Sequence, residues 1–244
     1  MANQVDPRLA TARPAAGVDA GYDEGLRAYM LSIYNYMASG VLLTGVVAVL
    51  FARGGEQSLA WQIFNQPGIL KWVIMLAPIG LVMLLSFGIN KLSETAAKGV
   101  FWVYAALMGA SLSTILLAYT GASVASTFFA AAAGFGALSL YGYTTKRDLS
   151  GMGKFLLMGL VGIIVASIIN IFTKSSTADL IISIIGLFLF AGLTVYDTQK
   201  LKNLYWQIQG SEFMGKAVIM GALTLYLDFI NLFLFLLRFM GDRR

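Results

Sequence analysis

Residues 217–240 read AVIMGALTLYLDFINLFLFLLRFM, an apolar run with one carboxylate, Asp228, near its middle. A helix rising 1.5 Å per residue needs about 20 such residues to cross roughly 30 Å of hydrocarbon. The run therefore reads as a membrane-spanning helix. A carboxylate at that depth costs at least roughly 2.5–3.5 kcal/mol if left alone, so it is rare unless it faces a partner, water or an ion. Asp228 is thus the leading functional residue.

The rest of the chain agrees with a membrane setting. It is 58% hydrophobic and only 12% charged, against about 25% charged residues in an ordinary soluble domain. Further apolar stretches of spanning length cover roughly 32–52, 70–90, 99–119, 122–142, 153–173 and 178–197. With 217–240 they predict an all-α fold, a polytopic membrane protein of seven transmembrane helices in one domain over residues 31–244. Residues 1–30, with Asp6, Asp19, Asp23 and Glu24, lack the basic and apolar segments of a signal peptide and read as a mobile cytosolic tail. The small-residue run Phe129–Gly134 suits packing against other helices more than lipid contact, and glycines such as Gly88 and Gly109 indicate close packing. Trp61, Tyr205 and Trp206 read as interfacial anchors.

The net charge of +5 does not indicate nucleic acid, because the basic residues sit in short connectors, where they set membrane orientation. With the amino terminus inside, eleven Lys and Arg fall on the cytosolic side, Lys91, Lys98, Lys200 and Lys202 among them. Six fall outside: Arg53, Lys71, Lys174, Arg238, Arg243 and Arg244. The bias favours a cytosolic amino terminus and an outer carboxyl terminus. The basic tail Gly241–Arg244 pulls the other way, toward a last run that re-enters instead of spanning.

The chain has neither cysteine nor histidine. Thiolate metal sites, disulfides, histidine switches and histidine-based catalytic pairs are therefore excluded. With no phosphate loop or nucleophile elbow either, the chain is not expected to be an enzyme or to carry a cofactor. Carboxylates are left as the groups for proton sensing. Of these, Asp179 opens the sixth span as a cap, and only Asp197 and Asp228 lie within or at the edge of apolar runs. Asp197 is expected near the cytosolic interface, at the end of the sixth helix, and Asp228 about 16 Å deep from the same side.

Two carboxylates close together in a poorly solvated place cannot both be ionised cheaply, so such a pair shares a proton and acts as a pH switch. Deprotonated, it repels the helices or attracts a cation. Calcium prefers oxygen ligands, but two carboxylates and water make only a weak site. Thr224, Asp228, Asn231 and Phe235 share one face at i−4, i, i+3 and i+7, a polar stripe expected to face the bundle interior. The competing reading is structural, an aspartate whose hydrogen bonds tie helices together. Lys91, at the cytosolic end of the second span, is the candidate counter-charge for the aspartates, or else an ordinary positive-inside residue; Arg238 is expected to snorkel to the interface.

GLTVYDTQKLKN (192–203) and MGALTLYLDFINLFLFLLRFMG (220–241) resemble the Bax inhibitor-1 family, the transmembrane Bax-inhibitor-motif proteins, in its bacterial branch. RAYMLSIYNYMASGVLLTG (27–45) and the seven-span layout agree more loosely. The resemblance implies a seven-helix fold with the last helix central. It also implies a pH-sensitive calcium leak in the bacterial inner membrane, gated by an aspartate pair that matches Asp197 and Asp228. Two departures stand out. FGINKLSE has Lys91 where relatives carry an arginine cluster, and Lys71–Asn90 lacks an acidic residue that some relatives place in the second helix.

The expected function is thus a proton-regulated calcium leak, with membrane lipid and the calcium ion as partners. The alternative is a regulator that binds another membrane protein such as a quality-control protease, an activity attributed to bacterial members of the resembling family.

Overall fold

The computed structural model describes residues 16–244, with side chains from Glu24 onward. The helices are α1 (Ala16–Ala52), α2 (Leu59–Asn65), α3 (Leu70–Gly88), α4 (Glu94–Ala118), α5 (Gly121–Thr144), α6 (Met152–Thr173), α7 (Ser176–Ile208) and α8 (Met214–Met240). All but α2 are long and apolar enough to cross a membrane. The described residues contain no strand, only an isolated antiparallel bridge between Tyr119 and Arg243.

Small polar side chains start the helices where the apolar runs break. Ser58, Ser93, Thr120 and Ser175 each accept a hydrogen bond from the backbone N–H three residues on, satisfying one of the donors that a helix start leaves open. Ser175, not Asp179, is therefore the cap of α7. Asp179 lies in the first turn, where its charge suits the helix dipole, and its carboxylate is 4.0 Å from Arg238 on α8.

The bundle has two ends. At one, Gly25 of α1 meets Tyr205 of α7, and Gly215 of α8 meets Glu94 of α4. At the other, the carboxyl-terminal residues bond the α4–α5 turn: Thr120 N–H donates to the Asp242 carbonyl (3.0 Å) and Arg244 N–H to the Ala118 carbonyl (2.9 Å). The unbroken α8 of 27 residues is about 40 Å long and joins the two ends. The re-entrant alternative is thereby set aside.

Helix α8 is the most enclosed. Of its most apolar stretch 72% is buried, against 11–39% for the other six spans. It packs against α1, α4, α5 and α7, while α3 leans on α4 and α6 on α7.

Several expectations need correction. The packed part of α1 begins before residue 31: Leu26, Tyr29, Met30, Ile33 and Met37 are buried at the i, i+3, i+4, i+7 spacing of one helical face. The tail expected over 1–30 is thus helical from residue 16, and residues 1–15 lie outside those described. Only Gln209–Phe213 separates α7 from α8, because α7 runs eleven residues past Asp197. On α5 a single stripe is buried, Ser123, Thr127, Ala131, Phe135 and Ser139, while Phe129, Ala130, Ala132 and Ala133 are exposed. The small-residue run is therefore mostly on the outer surface. Gly109 does admit a neighbour, the backbone of Thr44, whereas a Cβ on Gly88 would meet only Leu84 of its own helix. Tyr205 is no interfacial anchor; it is buried with its ring 5.5 Å from that of Tyr29.

Candidate functional site

Asp197 and Asp228 meet. Helices α7 and α8 pack antiparallel on either side of a short connector. Asp197 lies eleven residues before the end of α7 and Asp228 fourteen after the start of α8, about 17 and 21 Å along their helices. Both residues thus sit at similar levels along the bundle, where the sequence places them at different ones, and both are buried, 8% and 4% exposed. The apolar run ends at Asp197, but VYDTQKLKNLYWQI continues the turn and buries Thr198, Leu201 and Tyr205 on one face.

The two carboxyl groups stand within hydrogen-bonding reach of each other. Asp228 Oδ2 is buried and has no hydrogen-bond partner. An ionised carboxylate only accepts, so this contact becomes a hydrogen bond only when one oxygen carries a proton. Two ionised groups there would repel: unit charges 4 Å apart interact by about 4 kcal/mol at the effective dielectric usual for proteins.

The nearby cation is Lys200, not Lys91. Lys200 Nζ is 4.0 Å from Asp197 Oδ1, one turn along the same helix, with the lysine side chain 64% exposed. It also lies over the Tyr196 ring. Lys91 is exposed in the turn after α3, where its N–H donates to the Gly88 carbonyl, and it forms no ion pair among the described residues. The i+3 spacing of Lys200 was the available signal, hidden by the early end assigned to the helix.

Thr224 and Asn231 flank Asp228 without bonding to it. Thr224 Oγ1 donates to the Met220 carbonyl (3.0 Å) and Asn231 Nδ2 to that of Leu227 (2.8 Å). Both are half-buried, and with Leu227 and Leu234 they form the least enclosed stripe of α8. The expected interior stripe is therefore split, with Asp228 inside and the two neutral residues at its margin. Phe235 is inside too, stacked on Phe190.

The half of α7 that carries Asp197 is tied down on several sides. Thr198 Oγ1 donates to the Thr194 carbonyl and bonds Ser139 of α5, which bonds Tyr34 of α1. Gln199 Nε2 donates to the Arg147 carbonyl (2.7 Å), and its Oε1 accepts from Leu149 N–H (2.8 Å). Lys202 Nζ donates to the Tyr143 carbonyl (2.7 Å). In the same α5–α6 connector, hydrogen bonds from the Ser150 side chain and N–H hold the Asp148 carboxyl below the usual range.

A second polar group, which the sequence reading did not identify, lies across α8. Thr44 Oγ1 donates to the Ala105 carbonyl (2.8 Å) and accepts from the Tyr226 hydroxyl (2.7 Å). The Tyr104 ring meets that of Tyr226 edge-on at 5.3 Å.

No group of three or more acidic side chains able to hold a metal occurs among the described residues. The aspartate pair, with its unpartnered oxygen, offers carboxylate oxygens to a cation but far fewer than the six to eight of a tight calcium site.

Comparison with known proteins matches residues 26–244 to the family described as "Inhibitor of apoptosis-promoting Bax1". The inner membrane protein YbhL of Escherichia coli strain K12 is 48% identical over 222 residues, covering 90% of this chain and 94% of its own. An uncharacterized protein of Rickettsia prowazekii is 48% identical over 223 residues, 91% of this chain and 93% of its own. Another from Caulobacter vibrioides is 41% identical over an alignment of 250 positions, covering 99% of each.

Proposed function

Because the chain belongs to the Bax inhibitor-1 family, we propose that this membrane protein is a pH-sensitive cation leak of the bacterial inner membrane. Calcium is the permeant ion, and Asp197 with Asp228 is the switch. The inner membrane is suggested by the name of YbhL, and the distribution of Lys and Arg favours a cytosolic amino terminus.

One observation carries this reading: two buried aspartates on adjacent helices face each other, one with an oxygen that nothing else satisfies. With one proton between them the carboxyls hold α7 and α8 together. When the proton leaves, two charges in contact either separate the helices or draw in a cation. Few ligands mean weak binding, and weak binding lets an ion leave as readily as it arrives.

The test is calcium flux into liposomes holding the purified protein, measured from about pH 5 to about pH 8. Flux should fall as pH falls and the pair is protonated. Asp197→Asn and Asp228→Asn should each abolish the pH dependence, since neither variant retains two ionisable groups in contact. An unchanged pH profile in both variants overturns the switch, and an absence of flux in wild-type vesicles overturns the leak.

A further inference from the structure

A crevice of about 650 Å³ opens sideways between α1, α4, α5 and α8, with Phe229, Ile230 and Phe233 of α8 as its floor. Among the described residues Thr44 is the only polar side chain that lines it, and the Thr44 hydroxyl is already bonded to Ala105 and Tyr226. Water held in such a place needs two to four polar partners, and none is free. The rim residues Leu42, Val46, Val49 and Phe129 are exposed on membrane-spanning helices, so the surrounding medium is hydrocarbon.

Along α1 the lining runs from Val41 to Leu50, about 14 Å of helix. That equals the depth of one leaflet of a hydrocarbon core about 30 Å thick. The Leu50 and Gly121 end of the crevice is basic. Arg53 lies three residues beyond Leu50, and Arg243 and Arg244 are pinned beside Gly121 through the bonds to Tyr119 and Ala118. All three arginines are exposed, and with Arg238 they stand against Asp242, Glu56 and Asp179, which faces Arg243 and Arg238. A guanidinium offers a planar fork of donors that fits phosphate oxygens.

We infer that this crevice binds one acyl chain of a membrane glycerophospholipid, with the lipid phosphate held by the arginines at the carboxyl-terminal end of the bundle. The chain lies on the turn of α8 that directly follows Asp228, so the lipid braces the helix bearing that aspartate. The site stands on its own geometry and does not depend on the cation-leak reading.

The glycines lining the crevice supply the test. A Cβ added at Gly45 or at Gly121 meets no atom within 4 Å, so the side chains of Gly45→Leu and Gly121→Leu start into open space and occupy the crevice. Protein extracted from vesicles of phosphatidylglycerol or phosphatidylcholine is analysed by native mass spectrometry for phospholipid retained through delipidation. Wild type should keep one phospholipid per chain from either vesicle, and each filled variant should retain it about tenfold less well with an unchanged melting temperature. Arg243→Gln with Arg244→Gln should also weaken retention, and diacylglycerol, which has the chains without the phosphate, should not be kept. Loss of all lipid by wild type, equal retention by both filled variants, equal retention of diacylglycerol, or a dimer mass in place of a lipid-bound monomer each overturns the assignment.

Discussion

Helix α8 carries polar side chains on two opposite faces, and the faces are built to different rules. Tyr226 and Asp228 are two residues apart, about 200° around a helix of 3.6 residues per turn. Toward α1 and α4, the Tyr226 hydroxyl and Thr44 satisfy each other and the Ala105 carbonyl with neutral groups, and Gly109 lets the Thr44 backbone come close. Toward α7, two carboxyls face each other and one oxygen has no other partner. The neutral face makes the same bonds at pH 5 and pH 8. The acidic face needs a proton or a cation to be satisfied at all. The difference is charge: neutral hydroxyls, including that of Tyr104, which is unpartnered beside Tyr226, keep their state across this range, whereas a carboxyl pair does not.

The strongest way to break this comparison is to wedge apart the helix pairs behind each face, α1 from α4 and α5 from α7. A Cβ at Gly109 would collide with the Thr44 carbonyl and Val47, and one at Gly142 with the Val195 carbonyl and Thr198 beside Asp197. Gly109→Val and Gly142→Val should each cost about 1–3 kcal/mol by overpacking, seen as a lower melting temperature in detergent. Their flux profiles should differ: Gly142→Val displaces α7 and alters the pH response, while Gly109→Val keeps it in whatever fraction folds. If the two variants change the pH response alike, the two faces are not separate devices.

Tyr226→Phe is a gentler cut on the neutral side. It removes the hydroxyl that Thr44 accepts from while Thr44 keeps its bond to Ala105. The expected loss is about 0.5–1.5 kcal/mol, the net value of one such bond, measured by thermal unfolding in detergent. The pH dependence of flux should be that of wild type. A shift in the pH profile would show that the tyrosine face takes part in the switch.

Much of this was legible in the chain, and what was not has a common cause. Seven spans and the two aspartates follow from apolar length and from the cost of a charge at depth, both properties of residue type. The contact between the aspartates was an expectation that needed α7 and α8 in register. Hydropathy reports where a helix leaves the bilayer, not where it ends, so α7 was stopped at Asp197 and α1 was started after Met30. The first puts Asp197 and Asp228 at different levels and hides Lys200. It also makes Lys91 the nearest cation, although Lys91 lies exposed in the turn after α3 and forms no ion pair with either aspartate. The buried stripe Leu26, Tyr29, Met30, Ile33 keeps helical spacing, but its first three residues precede the apolar run that begins near residue 32. Gly88 and Gly109 look alike in sequence; only the approach of α1 distinguishes them.

The smallest effect separates the two lysines. Lys200 is mostly exposed and 4.0 Å from Asp197, so its ion pair is worth between nothing and about 1 kcal/mol. A cation there favours the ionised form of the pair. Without it the shared proton is held to higher pH, and the midpoint of flux in Lys200→Gln should move upward by on the order of a few tenths of a pH unit. Because the charge is solvent-exposed, 1 M salt, with a screening length of about 3 Å, should bring wild type and variant together. Lys91→Gln should leave the midpoint unmoved at any salt concentration, since Lys91 makes no ion pair with either aspartate. The reverse ranking, a shift from Lys91 and none from Lys200, would require α3 to reach the aspartates in the state that carries the flux, and would move the controlling charge from α7 to the other side of the bundle.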